Sequence, residues 1–160
     1  MANNVAYKEA SPVISILATI PDHIGELKSN LRAEDAEEIL RFGLTIQKAL
    51  WQSYRQSLVC KTAFIDGEIA AVWGIGGRFL GTTGIPWLMT TSIVKKISPL
   101  RFTRLYQEEV IKMLKIFKRL ESYVDSEYSS AIRLLDIVGF TIEDPQKIGN
   151  GMYSKFWIGK

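Results

Sequence analysis

YVDSEYSSAIRLLDIVGFTI, residues 123–142, places a strand, a turn, a helix and a second strand in immediate succession. Ser122–Asp125 is short and strand-like, and Ser126, Ser129 and Ser130 offer N-cap oxygens. Ala131–Val138 repeats its apolar residues at helical spacing. Gly139 can take the left-handed conformation that closes a helix, and Phe140 opens the next strand.

Upstream, Ser98 is a candidate N-cap with Pro99 at the first helical position, predicting a long helix to about Arg119. Phe102, Tyr106, Val110 and Met113 share one face of it and Arg101, Arg104, Lys112 and Lys115 the other, so the apolar face belongs against a sheet. Asp66-Gly67 separates two runs of strand formers, Val59–Ile65 and Glu68–Ile75, and predicts a hairpin. Gly74, Gly76, Gly77, Gly81 and Gly84 predict a bulged strand end and a loop, with the next strand at Pro86–Thr91. Val13–Ile20 reads as a first strand ending at Pro21, and His23 as a solvated turn residue. Glu34, Asp35, Glu37 and Glu38 suit the positive end of a helix that stops at Gly43, and Thr45 caps a helix to about Ser57. Met152–Ile158 is a closing strand paired with the one that begins at Phe140. The interleaving predicts an α/β or α+β sandwich, a mixed sheet covered by helices.

A chain of 160 residues, 47% apolar and 23% charged, suits one domain, here residues 12–160 behind a flexible arm at 1–11. No apolar run has the length of a membrane span, and the N-terminus has no secretory pattern, so the cytoplasm is the expected compartment. Cys60 and His23 stand alone in their residue types, which excludes an internal disulfide and argues against a zinc site. Cys60 reads as a small buried hydrophobe. A net charge of +3 does not by itself imply nucleic acid, and Glu108 breaks the basic stripe of the long helix, so that stripe reads as a solvated face.

In its strand, capped helix and closing Gly139-Phe140, the chain resembles the GCN5-related N-acetyltransferases (GNATs). It is also similar to a family of small acetyltransferase-like or internal virion proteins of short-tailed bacteriophages. The blocks are NLRAEDAEEI at 30–39, IDGEIAA at 65–71, PWLMTT at 86–91, and YVDS, AIRLL and VGFTI in the segment above; together they cover about residues 25–158. The resemblance implies a mainly antiparallel central sheet with helices on both faces, and acetyl-CoA as the candidate cofactor. It implies a cofactor edge at Trp87, Leu88, Met89, Thr90 and Thr91, with Lys95, Lys96 and Ser98 toward the phosphates.

The sequence departs from that pattern in two ways. Between Thr91 and Pro99 there is no glycine to let a phosphate approach the backbone, and Pro99 has no amide proton. Leu135 occupies the position where the superfamily often has a tyrosine general acid. Glu109, within the apolar sector of its helix, and Tyr128 remain as candidate acid-base residues, with Glu68 a simple hairpin carboxylate. The expectation is a bacteriophage or prophage GNAT-fold protein with reduced catalytic machinery, contacting phage structural or ejection proteins in the host cytoplasm or virion interior. The alternatives are an active acetyl-CoA-dependent N-acetyltransferase and a small module that regulates a host protein.

Overall fold

The computed structural model describes residues 10–78 and 80–160. Its centre is a hairpin of β2 (Ser57–Ile65) and β3 (Glu68–Gly77), turned by Asp66 and Gly67 at φ of 51° and 83°. Two left-handed residues in succession give the turn whose twist matches the strands, which is why Asp-Gly stands there. β1 (Ile14–Ala18) pairs antiparallel with the outer side of β2, and β4 (Thr83–Thr90) with the far side of β3. β5 (Arg119–Asp125) follows β4 in parallel. β8 (Gly151–Gly159) pairs antiparallel with all of β5, and both β6 (Thr141–Ile142) and β7 (Gln146–Ile148) pair with β8.

Three helices separate β1 from β2: α1 (Pro21–Asn30), α2 (Ala33–Arg41) and α3 (Ile46–Gln56). A short 3-10 helix, Ser92–Lys96, leads from β4 into α4 (Pro99–Leu114), and α5 (Ser129–Val138) joins β5 to β6. Side chains alternate along residues 71–75, a bulge at Ala70 turns Ile69 to the side of Val72, and the two faces take different partners. Ala71, Trp73 and Ile75 pack with Tyr106, Val110 and Met113 of α4 and Leu135 and Val138 of α5. Ile69 and Val72 meet Ile24, Leu27 and Leu50 of α1 and α3. Each of the fully buried Leu and Val side chains among these contributes about 1.5–3 kcal/mol over exposure. The mixed, mainly antiparallel sheet with helices on both faces is the class read from the sequence.

The parallel pair is the unusual one. β4 and β5 match only at Thr83–Arg119 and Gly84–Leu120 and then part. At the far end of β4 the Thr90 N–H donates to Asp35 and its carbonyl accepts from Arg32 N, so Thr90 turns its backbone groups away from β3. Alternation then aims the backbone of Leu88 and Pro86 the same way, toward β5. Pro86 has no N–H to offer, and the ladder fails there. Gly84, at the branch, leaves room for Phe117: a Cβ would lie 2.6 Å from the Phe117 ring and 2.7 Å from Ile75 Cδ1.

Several boundaries differ from the expectations. Pro21 starts a helix instead of a turn, and His23 is its third residue: Nδ1 accepts from Ile20 N at 3.3 Å and lies 3.0 Å from Thr62 Oγ1. The helix from Pro99 ends at Leu114, and Phe117 and Leu120 are buried beyond it, so an apolar helical stripe runs on into a strand. The glycines do not loosen β3, which stays paired to Gly77. Gly74 gives the Trp87 ring its space, since a Cβ there would lie 2.7 Å from Nε1. The N-cap of α5 is Tyr128, with no side-chain cap, in place of a serine. Thr91 lies just past β4. Most of the proposed arm at 1–11 lies outside the described residues.

Gly84→Ala is expected to lower stability by about 1–3 kcal/mol through overpacking against Phe117, read as a lower denaturation midpoint at unchanged slope. Gly25→Ala, which meets nothing within 4 Å in α1, should be neutral or stabilising.

Candidate functional site

Where β4 and β5 part, they open a cleft of about 1170 Å³. Ile85–Thr90 form one wall and Ser122–Val124 the other; Ser129, Ser130 and Arg133 of α5 close one end. Arg32, Asp35, Glu38 and Ile39 close another, and Lys95 lies near the start of α4. Within the cleft the Leu88 N–H and carbonyl face a gap where no strand pairs with them.

Of the cofactor-side residues named from sequence, Trp87, Leu88, Met89, Thr90 and Lys95 line this cleft. Trp87 also serves the core, its indole donating to Ser57 Oγ at 2.8 Å. Thr91 is buried and spends its hydroxyl on the Ile69 carbonyl. Lys96 turns to the carboxylate of Glu68, away from the lining. Ser98 caps α4 by accepting from Arg101 N.

The two acid-base candidates stand apart. Glu109 is buried against the sheet, where it accepts from Trp73 Nε1 at 3.2 Å and pairs with Lys61 at 3.0 Å and with Lys112. Burial opposes its charge, but the hydrogen bonds from Lys112 and Lys61 outweigh burial and hold the carboxyl below its ordinary range. Tyr128 is in the cleft, and its hydroxyl donates to Asp35 Oδ1 at 2.7 Å. Burial first, then the charge of Asp35, push this phenol well up, so it keeps its proton.

Two other carboxylates line the cleft, Asp35 and Glu38, read from sequence only as partners of a helix dipole. Asp35 is buried, and its Oδ2 accepts from both the N–H and the hydroxyl of Thr90. Glu38, half-buried one turn on, accepts from Asp125 N at 2.9 Å. Asp125 ends β5, buried, with Arg41 at 2.7 Å. Burial, reinforced by the charges of Asp35 and Asp125, pushes the Glu38 carboxyl up to about 7 against the pull of the Asp125 N–H and Arg41. The signal was present in the sequence: Asp35, Glu38 and Ile39 fall on one stripe of α2, so the turn that buries Ile39 brings two acids with it.

Solved structures of low sequence identity share this architecture. A GNAT-family acetyltransferase from Streptococcus pneumoniae matches at 19% identity and a TM-score of 0.63, covering 92% of this chain and 99% of that one. A putative acetyltransferase, yncA, from Salmonella typhimurium, with its cofactor acetyl-CoA, matches at 13% identity and 0.62, over 91% and 93%. A spermidine N-acetyltransferase from Vibrio cholerae, in complex with CoA and spermine, matches at 9% identity and 0.67, over 91% and 95%. The chain has the GNAT fold. No protein-family model and no curated protein matches the sequence. Among the described residues, no helix of this GNAT fold is long and apolar enough to cross a membrane.

A buried and a half-buried glutamate, Glu109 and Glu38, should titrate with opposite consequences in this fold. Glu109, held below 4.5, stabilises the fold at neutral pH, and that stability fades as pH falls through its folded value. Glu109→Ala should therefore cost about 3 kcal/mol at neutral pH, and less in acid, because it strands Lys61 and Trp73. Glu38, raised to about 7, holds its proton more tightly when folded, so stability is lost as pH rises from 4.5 toward 7. Glu38→Gln should be near neutral at low pH and stabilising by about 1–3 kcal/mol above pH 7, measured by denaturation across pH.

Proposed function

We propose that the cleft between β4 and β5 binds the pantetheine arm of acetyl-CoA and that the protein is an N-acetyltransferase. The observation that carries this reading is the unpaired backbone of Leu88 on an open strand edge. An extended chain bearing amides, laid along that edge, would find the hydrogen bonds that β5 does not supply. The phosphate end fits less tightly. Ile97 N is bonded to the Val94 carbonyl, Arg101 N to Ser98 Oγ, and Pro99 has no N–H, so side chains must do the holding. Lys95 and Arg133 are the cations lining that end.

Bound there, acetyl-CoA would supply a thioester whose carbonyl carbon takes an amine nitrogen, the C–S bond breaking as the C–N bond forms and the amine's proton passing finally to the leaving thiolate. The chain's part is positioning, with Leu88 N–H facing the gap. Glu38 is poised near neutral pH to accept a proton at Oε2, which has no partner among the described residues.

A second reading, a bacteriophage virion protein that uses the scaffold for protein contacts, draws support from the ordered sequence blocks and from an apolar strip remote from the cleft. Val13, Ile16, Leu17, Leu58 and Val59 are exposed at the β1 edge. Titration with acetyl-CoA separates the two. A saturable rise of several degrees in Tm is expected, reduced by Lys95→Ala and unchanged by Lys96→Ala. No shift at millimolar acetyl-CoA would overturn the transferase reading and leave the scaffold reading standing.

A further inference from the structure

β1 ends the sheet on one side, and no strand among the described residues covers its outer edge. The backbone there has a fixed parity. The Val13 carbonyl accepts from Asp66 N and Thr19 N donates to the Cys60 carbonyl, so the odd-numbered residues of this strand turn their backbone groups to β2. Ile14, Ile16 and Ala18 therefore turn theirs outward, away from the only described strand that pairs with β1. A row of free N–H and C=O groups on a sheet edge is a template for another strand.

The devices that ordinarily keep such edges apart are missing from this one. Residues 13–20 contain no charged side chain and no proline, and the register of β1 with β2 runs without a bulge. Val13 is 70% exposed and Leu17 56%, on a strand whose own sheet leaves them uncovered. The opposite end of the sheet is built differently, with β6 and β7 offering edges of only two and three residues.

The register shows which strand fits. A second β1 laid antiparallel, with the two-fold axis at Ile16, sets Ile14 opposite Ala18 of the other copy and Ile16 opposite its own equivalent. Every outward residue of both strands is then paired, and each pair exchanges two N–H···O bonds. On the face turned to α4 the long Ile14 meets the small Ala18, and on the other face Leu17 meets Ser15, so large side chains stand against small ones. No charge opposes a like charge. The nearest charge in these rows, Lys61 beside Ala18, is committed to Glu109. The strip that would serve a foreign protein under the scaffold reading is thus complementary to itself.

We propose that two copies of this chain join β1 to β1 about a two-fold axis at Ile16, so that one sheet runs through both molecules. The cleft opens beyond β2 and β3, on the far side of β4, so both clefts stay open and the assembly is independent of the transferase reading. β1 has five residues, against about 20–30 residues a side in a standard interface, so the dimer is reversible, with a Kd on the order of micromolar.

Sedimentation equilibrium of the whole chain from about 1 to 200 µM tests this, with the mass expected to rise from 18.1 kDa to twice that value and Tm to rise with concentration. Ala18→Pro removes an outward N–H that β2 does not use, and Ile16→Lys sets two ammonium groups at the axis; each should weaken association by about tenfold or more. Ile111→Lys, on the exposed face of α4, should associate as the wild type does. In a Cys60→Ala background, Ile16→Cys should form a disulfide between copies under oxidation, whereas Ser15→Cys, opposite Leu17, should not. That comparison decides the matter if Ala18→Pro or Ile16→Lys fails to fold. A wild-type protein that stays monomeric at about 200 µM would overturn the proposal and leave the edge to a foreign partner. Dimers that persist in both Ala18→Pro and Ile16→Lys, or that crosslink through Ser15→Cys and not Ile16→Cys, would overturn it in favour of another contact.

Discussion

Everything about the site depends on two parallel strands that stop pairing after two residues. β4 and β5 are held together at Gly84 and Leu120, where Phe117 packs across the branch, and Pro86 then withholds the donor that would continue the ladder. The right-handed twist of each strand widens the gap beyond that point. An unpaired strand inside a sheet is ordinarily a defect, because buried backbone groups must find partners. Here the far end of the gap is closed by a side chain: Asp35 reaches from α2 to the Thr90 amide, and Arg32 N takes the Thr90 carbonyl. Leu88, between the two closures, is left facing open space.

Asp35 is thus a structural tie and a part of the cleft wall at once. Through Tyr128 it also fixes the residue that caps α5, so one carboxylate joins α2, β4 and the start of α5. Glu38 repeats the device one turn later by accepting from Asp125 N at the end of β5. The two strands that pair at one end are therefore bridged, where they lie apart at the other, by consecutive turns of a single helix. This bridge gives α2 its place in the fold as much as the burial of Ile39 does.

The elements legible in the sequence were those whose signals are local. The Asp66-Gly67 turn, the Thr45 and Ser98 caps and the Gly139 C-cap all stand where the residue types place them, because each meets a backbone need within four residues of itself. The end of α4 was not legible, since Phe117 and Leu120 continue an apolar helical stripe while being buried by tertiary contacts of a turn and a strand. Pro21 reads as a stop after a strand, although proline suits the first turn of a helix equally well. One wall of the cleft, residues 87–90, coincides with the edge to which the resemblance points. The acidic end of the cleft was not legible, because pairing α2 with the end of β5 joins residues 87 apart, which no local pattern encodes.

Glu38 and Glu109 show why chemistry at such a site depends on surroundings more than on residue type. Both are glutamates on helices that pack against the same sheet. Glu109 meets two lysines and an indole N–H, so its charge is compensated and chemically quiet. Glu38 meets two other carboxylates and one backbone N–H, with Arg41 largely committed elsewhere, so its charge is resisted and can respond to a newcomer. A compensated buried charge holds a fold together, whereas an uncompensated one costs stability until something cationic arrives. That contrast sets the responsive carboxyl at the acidic end of the cleft and not beneath α4, where Glu109 is neutralised by its lysines.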